Sequence, residues 1–89
     1  MRLMMKVPIP TAAENAVVAD PKFNETLHAL FVELGALKIY SRMAEGRRFD
    51  YAILDIQDPA RIFAIAKPVS VWLKVKPEFM PDVTARPPG

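Results

Sequence analysis

The chain has no cysteine. Disulfides and thiolate metal sites are therefore excluded together. It has one histidine, His28, and a lone imidazole argues against a structural zinc cage as well. No metal and no cofactor are expected. No uncharged stretch approaches the ~18 residues that span a bilayer. The opening "MRLMMKVPIP" has basic residues but no apolar core of the kind a secretory signal carries. It reads as a strand, and a cytoplasmic protein without a membrane partner is the expectation. Charge of one sign is scarce too. Twelve basic residues against ten acidic ones leave a net charge of +2, and only Arg47 and Arg48 are adjacent basic residues. That balance points to no nucleic-acid partner.

What is present is apolar surface. The chain has 89 residues, 52% of them hydrophobic. A chain of this length makes one domain. It buries only about 60% of its unfolded surface, which leaves it marginal alone. Small domains compensate with disulfides, metals or a partner subunit. With the first two excluded, self-association is the remaining aid.

Residues 2–9, "RLMMKVPI", read as a first strand, ended by Pro8 and Pro10, since proline cannot donate to a sheet ladder. Thr11-Ala-Ala-Glu14 has the spacing of a capping box, and predicts a helix beginning there. Ala12, Ala16, Ala19, Phe23, Leu27, Leu30 and Leu34 fall on one face of it. Asp20-Pro21 predicts a kink or two helices in line, with Asp20 capping the second. Gly35 is the expected stop. Residues 36–43 alternate as a strand, 44–47 "AEGR" form a turn with Gly46 available for a positive φ, and 48–56 form the second arm of the hairpin. Asp58-Pro59 repeats the cap-then-proline start of a helix. Beyond it, Ile62, Ile65, Ala66, Val69 and Leu73 keep helical spacing, while "VSVWLKVK" also alternates like a strand, so pattern leaves the helix end open. A last strand is expected within 74–80, at a sheet edge or bulge because of Pro77. The domain is expected to cover 1–83, with 84–89 a mobile C-terminal tail.

The order β-α-β-β-α-β is that of a ferredoxin-like α+β domain, a four-stranded antiparallel sheet with two helices on one face. One stretch conflicts with an open second face. In "RFDYAILDI", Asp50, Ala52, Leu54 and Ile56 share one side, and Phe49, Tyr51, Ile53 and Asp55 share the other. A half-solvated strand alternates apolar and polar residues. This one is apolar on both sides, so a cover for the second face is expected.

The segments Asp55-Ile56-Gln57-Asp58-Pro59, Ile62-Phe63-Ala64-Ile65-Ala66-Lys67-Pro68 and Glu78-Phe79-Met80-Pro81 also carry a resemblance. With "VPIPTAAENAVV" and "LFVELGALKIYS", they make the chain similar to a family of small uncharacterised bacterial proteins in the dimeric α/β-barrel (ferredoxin-like) superfamily. Lys67 stands where that family tends to have an acid, and Pro77 interrupts the last strand. The resemblance implies two sheets facing each other across a two-fold axis. It favours a helix from 59 to about 73. It implies no activity. The superfamily includes isomerases, cofactor-free monooxygenases, haem-degrading enzymes and ligand-sensing modules, and fold does not choose among them.

Phe49, Tyr51 and Ile53 are placed at a homodimer interface. Tyr40, Arg42, Tyr51 and Asp55 are the polar residues of the central hairpin, suited to a pocket for a small aromatic acid with Arg42 on its carboxylate. Dimer packing with a cross-strand Arg–Asp pair is the plainer account of them. Trp72 reads as core or interface, with ligand stacking as its functional alternative. His28 is the one ordinary general base near neutral pH, on a helix flank without a supporting carboxylate. Asp20 and Asp58 read as caps. Ser41 and Ser70 belong to no nucleophile motif. "RRFDYAIL" resembles the third-strand motif of the RNA-recognition fold, but Arg48, Asp50 and Leu54 depart from it. The leading functional expectation is a homodimer binding a small metabolite between sheet and helices. The alternatives are a cofactor-free isomerase or monooxygenase acting on a small metabolite, oriented by Tyr40, Arg42 and Tyr51, and an RNA-binding module. Whether the chain is an enzyme stays open on these residues.

Overall fold

The computed structural model describes residues 1–82. The elements in chain order are β1 (Arg2–Pro8), a 3-10 turn (Ala16–Ala19), α1 (Phe23–Glu33), β2 (Lys38–Ala44), β3 (Arg47–Asp55), α2 (Arg61–Leu73) and β4 (Glu78–Pro81). The four strands form one antiparallel sheet in the order β2-β3-β1-β4. This is the ferredoxin-like α+β arrangement. The expected tail at 84–89 lies outside the described residues.

The core forms where one sheet face meets two helical stripes. Leu3, Met5 and Val7 of β1, with Ala52 and Leu54 of β3, pack against Phe23, Leu27 and Phe31 of α1 and Ile65, Val69 and Leu73 of α2. Each helix presents residues four apart, the spacing that keeps side chains on one face. On α1 the stripe runs through Phe31, which is fully buried, while Leu30 and Leu34 are only half-buried. Of the stripe expected from the sequence, Phe23 and Leu27 are in the core and Leu30 and Leu34 pack against its margin, while Phe31 is the core residue it leaves out.

Of the two helical pieces expected in line from Thr11, the second forms as α1, while the first is reduced to a turn at 11–14 and the 3-10 turn at Ala16–Ala19. Both capping-box bonds form, Thr11 N–H to Glu14 Oε1 at 2.8 Å and Glu14 N–H to Thr11 Oγ1 at 3.2 Å, but they close an isolated turn. Ala12, Ala16 and Ala19 are exposed. The reason is local competition for the backbone. Asn15 Oδ1 accepts from the Val17 amide at 3.1 Å, and its Nδ2 donates to the carbonyls of Trp72 and Leu73 at 3.3 and 3.0 Å. The segment is thereby fastened to the far end of α2 and not wound into α1. Asp20 then does as expected, accepting from the Lys22 amide at 2.8 Å. Asp58 does the same for Ala60 at 3.0 Å ahead of α2.

At the end of α1, Gly35 has φ +96. Its N–H bonds to Val32 O, and that of Ala36 to Phe31 O, the paired bonds of a Schellman stop. In the β2–β3 hairpin both central residues, Glu45 and Gly46, have positive φ, as a two-residue type I′ turn requires. The ambiguous stretch after Pro68 is helical. α2 runs through Pro68 to Leu73 and ends on Lys74 at φ 57. Pro68 and Ala64 are both on the exposed side, where water can serve the carbonyl that proline leaves unbonded. β4 begins directly after Pro77 and is an edge strand, the position proline tolerates. Among the described residues no helix is long and apolar enough to cross a membrane, and no cluster of metal-ligating side chains is present.

Candidate functional site

The helices leave the second sheet face open, and the alternation of each strand decides what stands on it. β2 contributes Lys38, Tyr40 and Arg42, and β3 contributes Phe49, Tyr51, Ile53 and Asp55. β1 contributes Met4 and Lys6, and β4 contributes Glu78 and Met80. The register sets Tyr40 opposite Tyr51, Arg42 opposite Phe49, Lys38 and Met4 opposite Ile53, and Met80 opposite Met4. The centre of this face is aromatic or sulfur-bearing, and its rim is largely cationic.

The rings are ordered against one another. Tyr40 and Tyr51 stack with centroids 4.9 Å apart and planes 11° from parallel. The Arg42 guanidinium and Lys38 Nζ each lie 5.7 Å from the Tyr40 ring, and Lys6 Nζ lies 4.6 Å from the Phe49 ring. These are cation–π distances. Tyr40 Oη also meets Met4 Sδ at 3.1 Å. Since β3 lies between β2 and β1, that contact carries the Tyr40 side chain across β3 beside Ile53. Ile53 is 3% exposed although no helix covers it. Its cover is this set of long side chains.

The sequence-predicted site residues therefore divide. Tyr40, Arg42 and Tyr51 come together on the open face. Their side chains stand on the opposite sheet face from the core that packs between sheet and helices, and of the three only Tyr40 also borders the small cleft on the helix side. Asp55 has the right parity but stands at the far end of β3, six residues from the partner of Arg42, or ~20 Å along a strand. It pairs with the Met1 amino group at 3.3 Å and accepts from Gln57 Nε2 at 3.0 Å. The cross-strand Arg42–Asp55 pair is thus not formed. Trp72 is in the helix layer, its ring 5.4 Å from that of Phe23, on the other side of the sheet from the tyrosines. Phe49 and Tyr51 are half-buried on the open face, available to a partner. Ile53 stands further along the same face of β3, opposite Lys38 and Met4, and is hidden by the side chains around it.

A second polar cluster escapes the residue-by-residue reading of the sequence. Counting back from the two-residue turn pairs Ser41 with Asp50, and this pair points to the helix side. Asp50 is 3% exposed. It accepts from Ser41 Oγ at 2.9 Å and from Arg48 Nε and Nη2 at 2.8 and 3.0 Å. The Arg48 guanidinium also rests 5.9 Å from the Phe23 ring. His28 and Asn24 complete a cleft of about 250 Å³ here. The cluster is closed to base chemistry, because Ser41 and Arg48 already occupy the carboxylate. Among the described residues no hydrogen bond joins His28 to Ser41. The signal that reveals the cluster is the hairpin register, since a charged residue on the buried parity of β3 demands a partner.

On the surface nearby, Glu14 receives Arg47 Nη1 and Nη2 at 3.3 and 3.2 Å. The Thr11 backbone bond, with the Arg47 bonds and charge behind it, holds the Glu14 carboxyl below the ordinary glutamate range. This fastens the 11–14 turn to the hairpin.

Compared with known proteins, the chain has no match among protein-family models, curated proteins or solved structures. The functional reading rests on the geometry.

Proposed function

We propose that the protein works as a homodimer built on its open sheet face, and that the tyrosine stack at its centre takes a small aromatic acid. The observation that carries this reading is the Tyr40–Tyr51 stack flanked by Arg42 and Lys38 on a helix-free face. Stable interfaces have an aromatic and methionine centre with a charged rim, and this face has that composition. Its rings offer a flat apolar contact, and its cations offer a partner to a carboxylate. Isomerase or monooxygenase chemistry would need a proton acceptor at this face. The carboxylate that the central hairpin presents here, Asp55, is engaged by the Met1 amino group and Gln57 at the far end of β3. Glu78, the face's other carboxylate, stands on edge strand β4, with β1 between it and Tyr51, so binding is the reading we favour over catalysis.

The test has two parts. Light scattering over a dilution series should give a dimer, and Tyr51→Glu should give a monomer, since a charge forced into an interface is not tolerated. Tyr51 suits this better than Ile53, whose substitution would unsettle the protomer itself. Benzoate, followed by amide chemical shifts, should perturb Tyr40, Arg42 and Tyr51, and Arg42→Ala should weaken it about tenfold, or ~1.4 kcal/mol. A monomer at all concentrations, or shifts elsewhere, would sink the reading.

A second reading has one observation in its favour. The Asp50 carboxylate, which counts against an RNA-recognition surface in the sequence, is turned to the helix side and paired with Arg48. The open face then carries three rings and basic neighbours, as a base-stacking platform does. Salt-dependent binding of single-stranded RNA by a monomer would select it.

A further inference from the structure

Helix α2 has two apolar surfaces, and the core uses one. Ile65, Val69 and Leu73 are buried against the sheet. A second, broader apolar surface takes in Ile62, Phe63, Ala66 and Val71. With Pro77 and Phe79 beside β4 it forms a groove of about 690 Å³. Phe63 is 78% exposed and Val71 68%, the largest apolar exposure on either helix. The groove follows α2 along most of its 13 residues, or ~20 Å at the helical rise.

Three features decide what fits it. The groove has a half-buried floor at Ile62, Ala66 and Phe79 and exposed walls at Phe63 and Val71, so a small molecule on it would stay largely solvated, whereas good ligand sites bury most of their ligand. A rod of matching length that brings its own apolar stripe would cover both walls. The neighbouring edge cannot accept that rod as a strand, because β4 has four residues and is bounded by Pro77 and Pro81, and prolines block edge pairing. Among the described residues the charges lining the groove are of one sign, Lys67 and Lys76. Two carboxylates close by in the chain do not line it. Asp58 accepts from the Ala60 amide, and Glu78 lies opposite Lys6 on the open face. A second copy seated here would bring lysines against lysines.

We propose that the α2–β4 groove docks an amphipathic helix of a partner protein, acidic along its flanks. The docking is helix-in-groove recognition, with Ala66 and Ser70 giving the small side chains that let two helices approach and the lysines selecting the sign of the partner. It uses a surface separate from the open sheet face, so the protein can be dimeric and docked at once.

The probe is a labelled amphipathic helical peptide of about four turns, with leucines on one face and glutamates on its flanks. A twin carries lysines in place of the glutamates. Fluorescence anisotropy against the full chain should show saturable binding of the acidic peptide. The basic twin should bind at least about tenfold more weakly. The double variant Phe63→Ser, Val71→Ser should lose at least about tenfold in affinity while keeping its circular dichroism, because both side chains lie outside the core. No saturable binding, equal binding of the twins, or indifference to the double variant would overturn the proposal. So would a fall in solution mass in that variant, which would give the groove to a second copy of the chain.

Discussion

Leu54 and Ile53 are neighbours on β3, equally hidden from water, and hidden by different means. Leu54 is 2% exposed beneath two helices, in a cluster of branched and aromatic side chains held from both layers. Ile53 is 3% exposed on the side with no helix, under a tyrosine that crosses from the next strand and cations that lie along the rings. The first kind of burial is rigid and comes from the fold. The second is assembled from long side chains that retain freedom to move. The comparison teaches that an apolar strand face does not by itself require a second layer of backbone. Lysine and arginine stems and two tyrosines can serve as the layer, and they leave a surface that another molecule can use.

The largest effect should come from breaking the rigid side. Leu54→Ala should cost about 3–4 kcal/mol in urea unfolding, the range for a core leucine whose surroundings cannot collapse. Ile53→Ala should cost about 2 kcal/mol, the low end of that range, because the side chains above it can settle into the space. Equal costs would mean that the open face is as rigid as the core. The next effect sharpens the role of the tyrosine. Tyr40→Ala should cost about 1–2 kcal/mol. Ile53→Ala made in that background should cost less than it does alone, since the two sites share one cover. Strict additivity would detach Tyr40 from Ile53. The smallest effect lies outside both faces, at the turn that fastens the hairpin. Glu14 has a lowered carboxyl pKa in the folded state, so its contribution is present above the ordinary glutamate range and is lost as pH falls through its folded value. Glu14→Gln should therefore flatten the acid side of the stability profile and change little below it. An unchanged acid limb would mean that the Thr11 and Arg47 contacts to the Glu14 carboxylate are not made in solution.

The two faces of β3 are legible in the sequence because strand parity is strict, and a slip of one residue would exchange every side chain. The β-α-β-β-α-β order is legible for a similar reason, since each turn has its own chemistry at Gly35, Glu45-Gly46 and Asp58-Pro59. The segment after Thr11 is not, because a capping box reports two hydrogen bonds and says nothing of how far a helix continues. Asn15 decides that length through a bond to residues 57 and 58 positions away, which no local pattern contains. The Ser41–Arg48–Asp50 cluster needs the hairpin register to be counted through. The tyrosine stack is legible residue by residue, but its position outside the helix layer separates it from Trp72, a consequence of three dimensions.

The strand order has one more consequence, for how the molecule is made. Of the four strands of this sheet, β1 is the earliest in the chain, and it lies inside the sheet, between β3 and β4. Its first partner residue, Phe49 opposite Pro8, arrives about forty residues later, and β4 comes at the end of the described chain. Until then a strand containing Leu3, Met4, Met5 and Val7 has no ladder to join. Local contacts can raise the hairpin and both helices early, but the sheet closes only when distant segments meet, and such closures are slow. The growing chain therefore carries its stickiest strand unpaired for longest, and Lys6 in its middle and the prolines at its end are what discourage it from pairing with a neighbouring chain.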